Sequence, residues 1–142
     1  MVTGLKHVIQ SESNRRVIMI GPTMVAVVDD DSSVLEAVGN LLEAGGHGVA
    51  RFESAETFLE RAATTKFDCL VSDIGLPRMN GFELQLEVGL RAPQLPVILI
   101  TGRDEYGSSA VPAFNNRGLF RKPFDAGQLL AAIAAAIKTA AV

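Results

Sequence analysis

One cysteine, one tyrosine and no tryptophan stand among the 142 residues. A lone Cys69 cannot close an internal disulfide, and with only His7 and His47 beside it no cysteine–histidine metal cluster can be assembled. Long apolar runs are missing too. The longest, Leu129 to Ile137, falls far short of the ~20 residues that span a bilayer. No apolar core follows Lys6, so no secretory signal is visible. Positive charge is in deficit, with 13 Lys and Arg against 16 Asp and Glu. The deficit is uneven: residues 1–23 carry Lys6, Arg15 and Arg16 against Glu12, a balance of +2, so the rest carries −5 for a net charge of −3. An acidic domain binds DNA poorly on its own, because phosphate neutralisation supplies most non-specific affinity. These absences point to a cytoplasmic protein with no direct nucleic-acid contact and no membrane segment.

What is present is an ordinary globular balance, 48% hydrophobic and 20% charged, which excludes disorder, collagen and coiled coil. The length fits one domain. A change of character falls at Gly21-Pro22. Residues 1–23 lack clear periodicity apart from an apolar patch at Val17–Ile20. They read as a mobile leader, a short extra element, or an artefact of start-site choice, with Met19 and Met24 as alternative starts. From Met24 to residue 141 short apolar runs alternate with helical patterns. The runs predict strands at Met24–Val28, Gly48–Phe52, Phe67–Ser72, Pro96–Ile100 and Leu119–Arg121. Helices are predicted between and after them. The first is capped by Ser32 or Ser33, with Val34, Val38, Leu41 and Leu42 on one face. The second is capped by Ser54 and carries Phe58, Leu59 and Ala62. Phe82, Leu86 and Leu90 mark the third. The last is capped by Asp125, with Leu129, Leu130, Ile133 and Ile137 inward. A further helix over 104–116 contains Gly107 and Pro112, costing about 1 and 3 kcal/mol in a helix interior. It is expected to be short, bent or partly unfolded. Five strands each followed by a helix imply an α/β domain with a parallel sheet covered on both faces.

In such sheets chemistry gathers at the carboxyl ends of the strands. The first predicted strand ends in Asp29, Asp30 and Asp31, the third in Ser72-Asp73, the fourth in Thr101-Gly102, and Lys122-Pro123 follows the fifth. Each residue alone has a plain structural reading. Asp31 suits a helix cap, Ser72 a structural hydroxyl, Lys122 a solvated surface lysine, Thr101 a neutral strand end. Their convergence on one rim is what carries chemistry. Crowded carboxylates repel, and a hard divalent cation such as Mg²⁺ relieves them. A carboxylate beside such an ion and a lysine is equipped for phosphoryl transfer.

The motifs Val27-Val28-Asp29-Asp30-Asp31, Ser72-Asp73-Ile74-Gly75-Leu76-Pro77-Arg78-Met79-Asn80-Gly81, Ile100-Thr101-Gly102 and Arg121-Lys122-Pro123-Phe124 together resemble the receiver domain of bacterial two-component response regulators. The resemblance runs from about Met24 to Ile137. It implies a flavodoxin-like (CheY-like) doubly wound sheet in the order 2-1-3-4-5. It implies that Asp73 is the phosphoacceptor and that Asp29, Asp30, Asp73 and the Gly75 backbone carbonyl hold Mg²⁺. Thr101 would be the switch hydroxyl and Lys122 the lysine that pairs with the phosphoryl group, followed by Pro123 across a bond that is typically cis in the family. Gly81 would close the loop after the phosphorylated strand. The function implied is a phosphorelay switch, not an enzyme acting on a separate metabolite. A sensor histidine kinase would be the donor, and an output domain or downstream regulator the target. A homodimer would form through the face of the fourth helix, fifth strand and fifth helix. The flavour of Phe52-Glu53-Ser54-Ala55-Glu56-Thr57-Phe58-Leu59 resembles receivers that precede helix-turn-helix domains in transcription regulation.

The chain departs from the family in two places. Leu119 stands where an aromatic residue usually does, three before the lysine, and the adjacent Phe120 should point to the opposite face. Leu119 is therefore expected simply to pack. The weak helix pattern over 104–116, with Tyr106, is the other departure. Side chains two after Asp73 and two after Thr101, here Gly75 and Arg103, tune hydrolysis in the family. Cys69 reads as a buried small hydrophobe. Two rivals remain: a pseudo-receiver that binds protein without being phosphorylated, and a Mg²⁺-dependent aspartyl-phosphate phosphohydrolase. The second would need another acid near Asp73 and a capping domain, and position 75 is glycine.

Overall fold

The computed structural model describes residues 7–10, 17–20, 23–102 and 116–141. Of the expected irregular helix over 104–116, residues 104–115, with Tyr106, Gly107 and Pro112, lie outside the described residues, as does Arg103, and Asn116 begins a strand instead. Strands β1 (His7–Gln10) and β2 (Val17–Ile20) pair antiparallel as a separate two-stranded sheet. The main sheet has five parallel strands: β3 (Met24–Val28), β4 (Gly48–Phe52), β5 (Cys69–Asp73), β6 (Val97–Thr101) and β7 (Asn116–Arg121). Their spatial order is β4-β3-β5-β6-β7, the expected 2-1-3-4-5. The helices are α1 (Ser32–Ala44), α2 (Ala55–Ala62), α3 (Gly81–Arg91) and α4 (Ala126–Ala141). None of the helices in the described residues is long and apolar enough to cross a membrane.

Alternation along the strands builds two cores. Val25 and Val27 of β3 join Cys69, Val71, Ile98 and Ile100 beneath α1 and α4. Ala26 and Val28 join Leu70, Val97 and Leu99 beneath α2 and α3. Both faces are covered, which is why the strands read as unbroken apolar runs. Burying each Val or Ile contributes ~1.5–3 kcal/mol. Phe52, Phe58 and Phe67 cluster on the α2 side, with ring centroids 5.6–6.0 Å apart.

Several local readings shift. Asp31, not Ser32 or Ser33, caps α1. Its carboxylate accepts from the Ser33 N–H at 2.9 Å and the Val34 N–H at 3.4 Å. Both serines lie inside the helix, because an anion at the cap also complements the helix dipole. The buried face of α1 is Leu35, Val38, Gly39 and Leu42, with Val34 and Leu41 at its margin. The third helix forms where Phe82, Leu86 and Leu90 mark it, and Phe82 packs against the core, but the other two leucines do not. Leu84, Gln85 and Val88 face the core, while Leu86 and Leu90 are 62% and 80% exposed. β5 begins two residues later than predicted and ends on Asp73 itself. β6 begins at Val97 and includes Thr101, and β7 begins three residues early, with a bulge opposite Val97/Ile98. Ser54 caps α2, and Asp125 accepts from the Gln128 N–H at 2.8 Å at the start of α4.

Candidate functional site

The parallel register carries β3, β5, β6 and β7 to one rim. Asp29 is the first residue past β3. Its backbone N–H donates to the Phe52 carbonyl (3.1 Å) and its Oδ1 accepts from the Asp31 N–H (2.9 Å). Asp73 ends β5 opposite Ile100, one residue before Thr101. The buried Ser72 hydroxyl donates to the Asp73 carbonyl at 3.0 Å, the structural role expected of it. The Lys122 N–H donates to the Thr101 carbonyl at 2.7 Å, which ties the lysine to the end of β6. The Lys122–Pro123 bond is cis.

Asp29, Asp30 and Asp73 offer carboxylate oxygens all within 4.8 Å of one another. Asp29 and Asp73 are buried, at 1% and 7% exposure, and Asp30 is exposed. Lys122 Nζ lies 3.2 Å from Asp29 Oδ2 and 3.3 Å from Asp73 Oδ1. Thr101 is 1% exposed beside them. A Cβ at Gly75 would stand 3.4 Å from Asp73 Oδ2, so glycine leaves that side of the carboxylate open. Three carboxylates against one ammonium leave the rim with excess negative charge. An all-oxygen, partly exposed donor set of this kind fits a hard cation that keeps several waters.

Charge crowding shows in the titration of the site. Burial raises the Asp29 carboxyl above its ordinary value, and the Asp73 charge adds to this against the opposing Asp31 N–H and Lys122. Burial alone would lower Lys122, but the Asp29 and Asp73 charges outweigh it and raise the ammonium above 10.5. The signs differ in consequence. A carboxyl raised on folding costs stability as pH climbs past its unfolded value of 3.8. A raised lysine contributes stability up to about 10.5 and loses it above. In metal-free buffer Asp29→Asn is therefore expected to be more stable than wild type at about pH 7 and to lose that advantage near pH 3–4. Denaturation at the two pH values measures the gap, and a pH-independent difference would contradict this origin.

The other expectations fall into place around the rim. Leu119 packs into the α2/α3 core, while Phe120 packs on the opposite face and meets Phe124 edge-on, centroids 6.5 Å apart. Cys69 is buried, and burial pushes its thiol up to about 12, far from redox reactivity. One residue of the surroundings went unassigned in sequence: Glu56, whose side chain reaches the loop between β5 and α3. No local spacing in the sequence signals a contact 23 residues away.

A doubly wound parallel sheet with this acidic rim and its lysine defines a CheY-like α/β domain. The chain matches the response regulator receiver domain family over residues 25–134 and belongs to it. It is 34% identical over 140 residues to the response regulator protein TodT of Pseudomonas putida, covering 97% of this chain and 57% of TodT. It is 31% identical over 118 residues to the transcriptional regulatory protein FixJ of Bradyrhizobium diazoefficiens, covering 82% and 57%. The chain thus spans little more than half the length of these curated relatives. Among solved structures, the signal receiver domain of an HD domain-containing protein from Pseudomonas fluorescens Pf-5 shares the fold. Its TM-score is 0.78 at 23% identity, over 84% of this chain and 98% of that one.

Proposed function

We propose that the domain, residues 24–141 with 1–23 as an appended segment, is a phosphoacceptor switch of a cytoplasmic two-component system. The observation that carries this reading is the contact of Lys122 with Asp29 and Asp73 within one cluster of three carboxylates. Asp29, Asp30, Asp73 and the Gly75 carbonyl would hold Mg²⁺, which when bound supplies positive charge against the phosphoryl oxygens. A carboxylate oxygen of Asp73 attacks phosphorus. The P–N bond to the kinase histidine breaks, and its electron pair leaves with the imidazole. Lys122 compensates charge on the transferred group, and the Thr101 hydroxyl bonds one of its oxygens. The domain takes and loses a phosphoryl group without turning over a separate metabolite.

The names of TodT and FixJ support extending the output to transcription regulation. In this reading DNA contact belongs to a partner or output domain, since the chain's own net charge is −3. A homodimer through the β7/α4 side would be one form of that output. Incubation with acetyl phosphate and Mg²⁺ is the direct test. The expected result is a mass gain of one phosphoryl group per chain that vanishes in EDTA. No gain in folded wild-type protein would favour a pseudo-receiver. Steady release of phosphate from a phosphomonoester would favour the phosphohydrolase.

A further inference from the structure

Between Asp73 and α3 the chain makes a loop whose last two amides, and the first amide of α3, are each held. The Gly81 N–H donates to the Ile74 carbonyl at 2.9 Å and the Asn80 N–H to Glu83 Oε1 at 2.9 Å. The Met79 N–H donates to Glu56 Oε2 at 3.2 Å. The first two partners are local. Glu56 is not: it sits in the first turn of α2, a separate element. Its other oxygen, Oε1, is shielded from solvent, makes no hydrogen bond, and faces the Arg78 guanidinium at 3.7 Å. Arg78 in turn has φ 61°, a left-handed conformation that few residues with a Cβ adopt. A carboxylate thus grips the loop on both sides of the Arg78–Met79 peptide, by an N–H and by a cation.

We propose that Glu56 is a positioning residue for the rim: by holding the left-handed turn at Arg78–Met79 it fixes the path of residues 74–80, and with it the Gly75 carbonyl and the Asp73 carboxylate. The proposal rests on the phosphoacceptor reading above. Gly75 and Arg78 are three residues apart, with Pro77 and the buried Leu76 between them, so displacement of the turn has little slack to absorb it. The Glu56 carboxyl is also held below its ordinary range. Its own backbone N–H does this most, with the Met79 N–H and Arg78 adding, so it is charged when it holds the loop.

The test uses Glu56→Ala, Glu56→Gln, Arg78→Gly and the double variant Glu56→Ala/Arg78→Gly. Hydrogen exchange reads the grip directly, and calorimetric titration with Mg²⁺ reads its consequence. Glu56→Ala should speed exchange of the Met79 amide and weaken Mg²⁺ binding about tenfold, as loss of an orienting partner behind a metal ligand does. Glu56→Gln keeps an acceptor for Met79 without the charge opposite Arg78, and should keep the amide protected with a smaller loss of affinity. Glycine adopts φ 61° freely, so Arg78→Gly in the Glu56→Ala background should restore affinity to within about twofold. A role for Glu56 in α2 packing alone would not be rescued this way. Mg²⁺ affinity unchanged in Glu56→Ala, with wild-type phosphorylation intact, overturns the positioning role alone. Wild-type protein that takes up no phosphoryl group overturns the phosphoacceptor reading instead.

Discussion

Asp73→Asn is expected to abolish phosphoryl uptake from acetyl phosphate while making the metal-free domain more stable. The two effects have one cause. Asp73 is 7% exposed, and its carboxylate shares a 4.8 Å neighbourhood with Asp29 and Asp30. Removing its charge leaves two carboxylates against Lys122, which keeps its 3.2 Å contact to Asp29. The new amide oxygen can still accept from the Lys122 ammonium. Less repulsion at unchanged shape should raise the metal-free Tm by about 2–5 °C. A carboxamide is not a nucleophile for phosphorus, so no mass gain should remain. Mg²⁺ should reverse the order of stability. It raises the Tm of wild type by binding only the folded rim, and it does so less in the variant, which has lost one of three charged donors. Thermal scans with EDTA and with Mg²⁺, read beside intact mass, measure all of this. A phosphoryl group that still attaches to Asp73→Asn would move the acceptor role to Asp29 or Asp30.

The build of the sheet explains why so much of the rim is legible in sequence. Strands buried on both faces read as apolar runs, and the residues after the runs must then lie on one rim. Asp29, Asp73, Thr101 and Lys122 are found that way without any contact being known. Leu119 and Phe120 were separable because side chains alternate along a strand. The inner face of α3 was not legible for a physical reason. Phe82-Leu86-Leu90 and Leu84-Val88 both repeat every four residues, and periodicity alone cannot choose between two apolar stripes. What chooses is a backbone contact at Gly81. It seats the helix start, and positions 84, 85 and 88 follow on the same face. Leu86 and Leu90 are left outside. Glu56 escaped for the same kind of reason, since its partners Arg78 and Met79 come to it only through the packing of α2 beside the β5–α3 loop.

The seat of α3 sets the second expected result: Gly81→Ala should destabilise the domain by about 2–3 kcal/mol, although alanine is the better helix former. A Cβ at position 81 would collide with the Asp73 carbonyl oxygen and stand 2.7 Å from Ile74 Cα and 3.1 Å from the Asp73 carbonyl carbon. These are backbone atoms of the strand end, so no side-chain rotation relieves the contact. Either α3 lifts from the sheet, uncovering Leu84 and Val88, or the end of β5 moves and carries Asp73 with it. Both routes cost stability, and the second also slows phosphorylation. Gly39 provides the control. The nearest atoms a Cβ there would meet are the guanidinium end of Arg51, a flexible side chain 32% exposed that can swing away at the expense of its contacts to Asn40 and Glu43. Gly39→Ala should therefore gain up to about 1 kcal/mol from helix propensity, where Gly81→Ala loses more than that. Urea unfolding of the two variants against wild type decides the matter. A Gly81→Ala protein as stable as wild type would show that the rim tolerates a shifted α3, and phosphorylation at the wild-type rate in that variant would separate the acceptor's position from the helix that follows it.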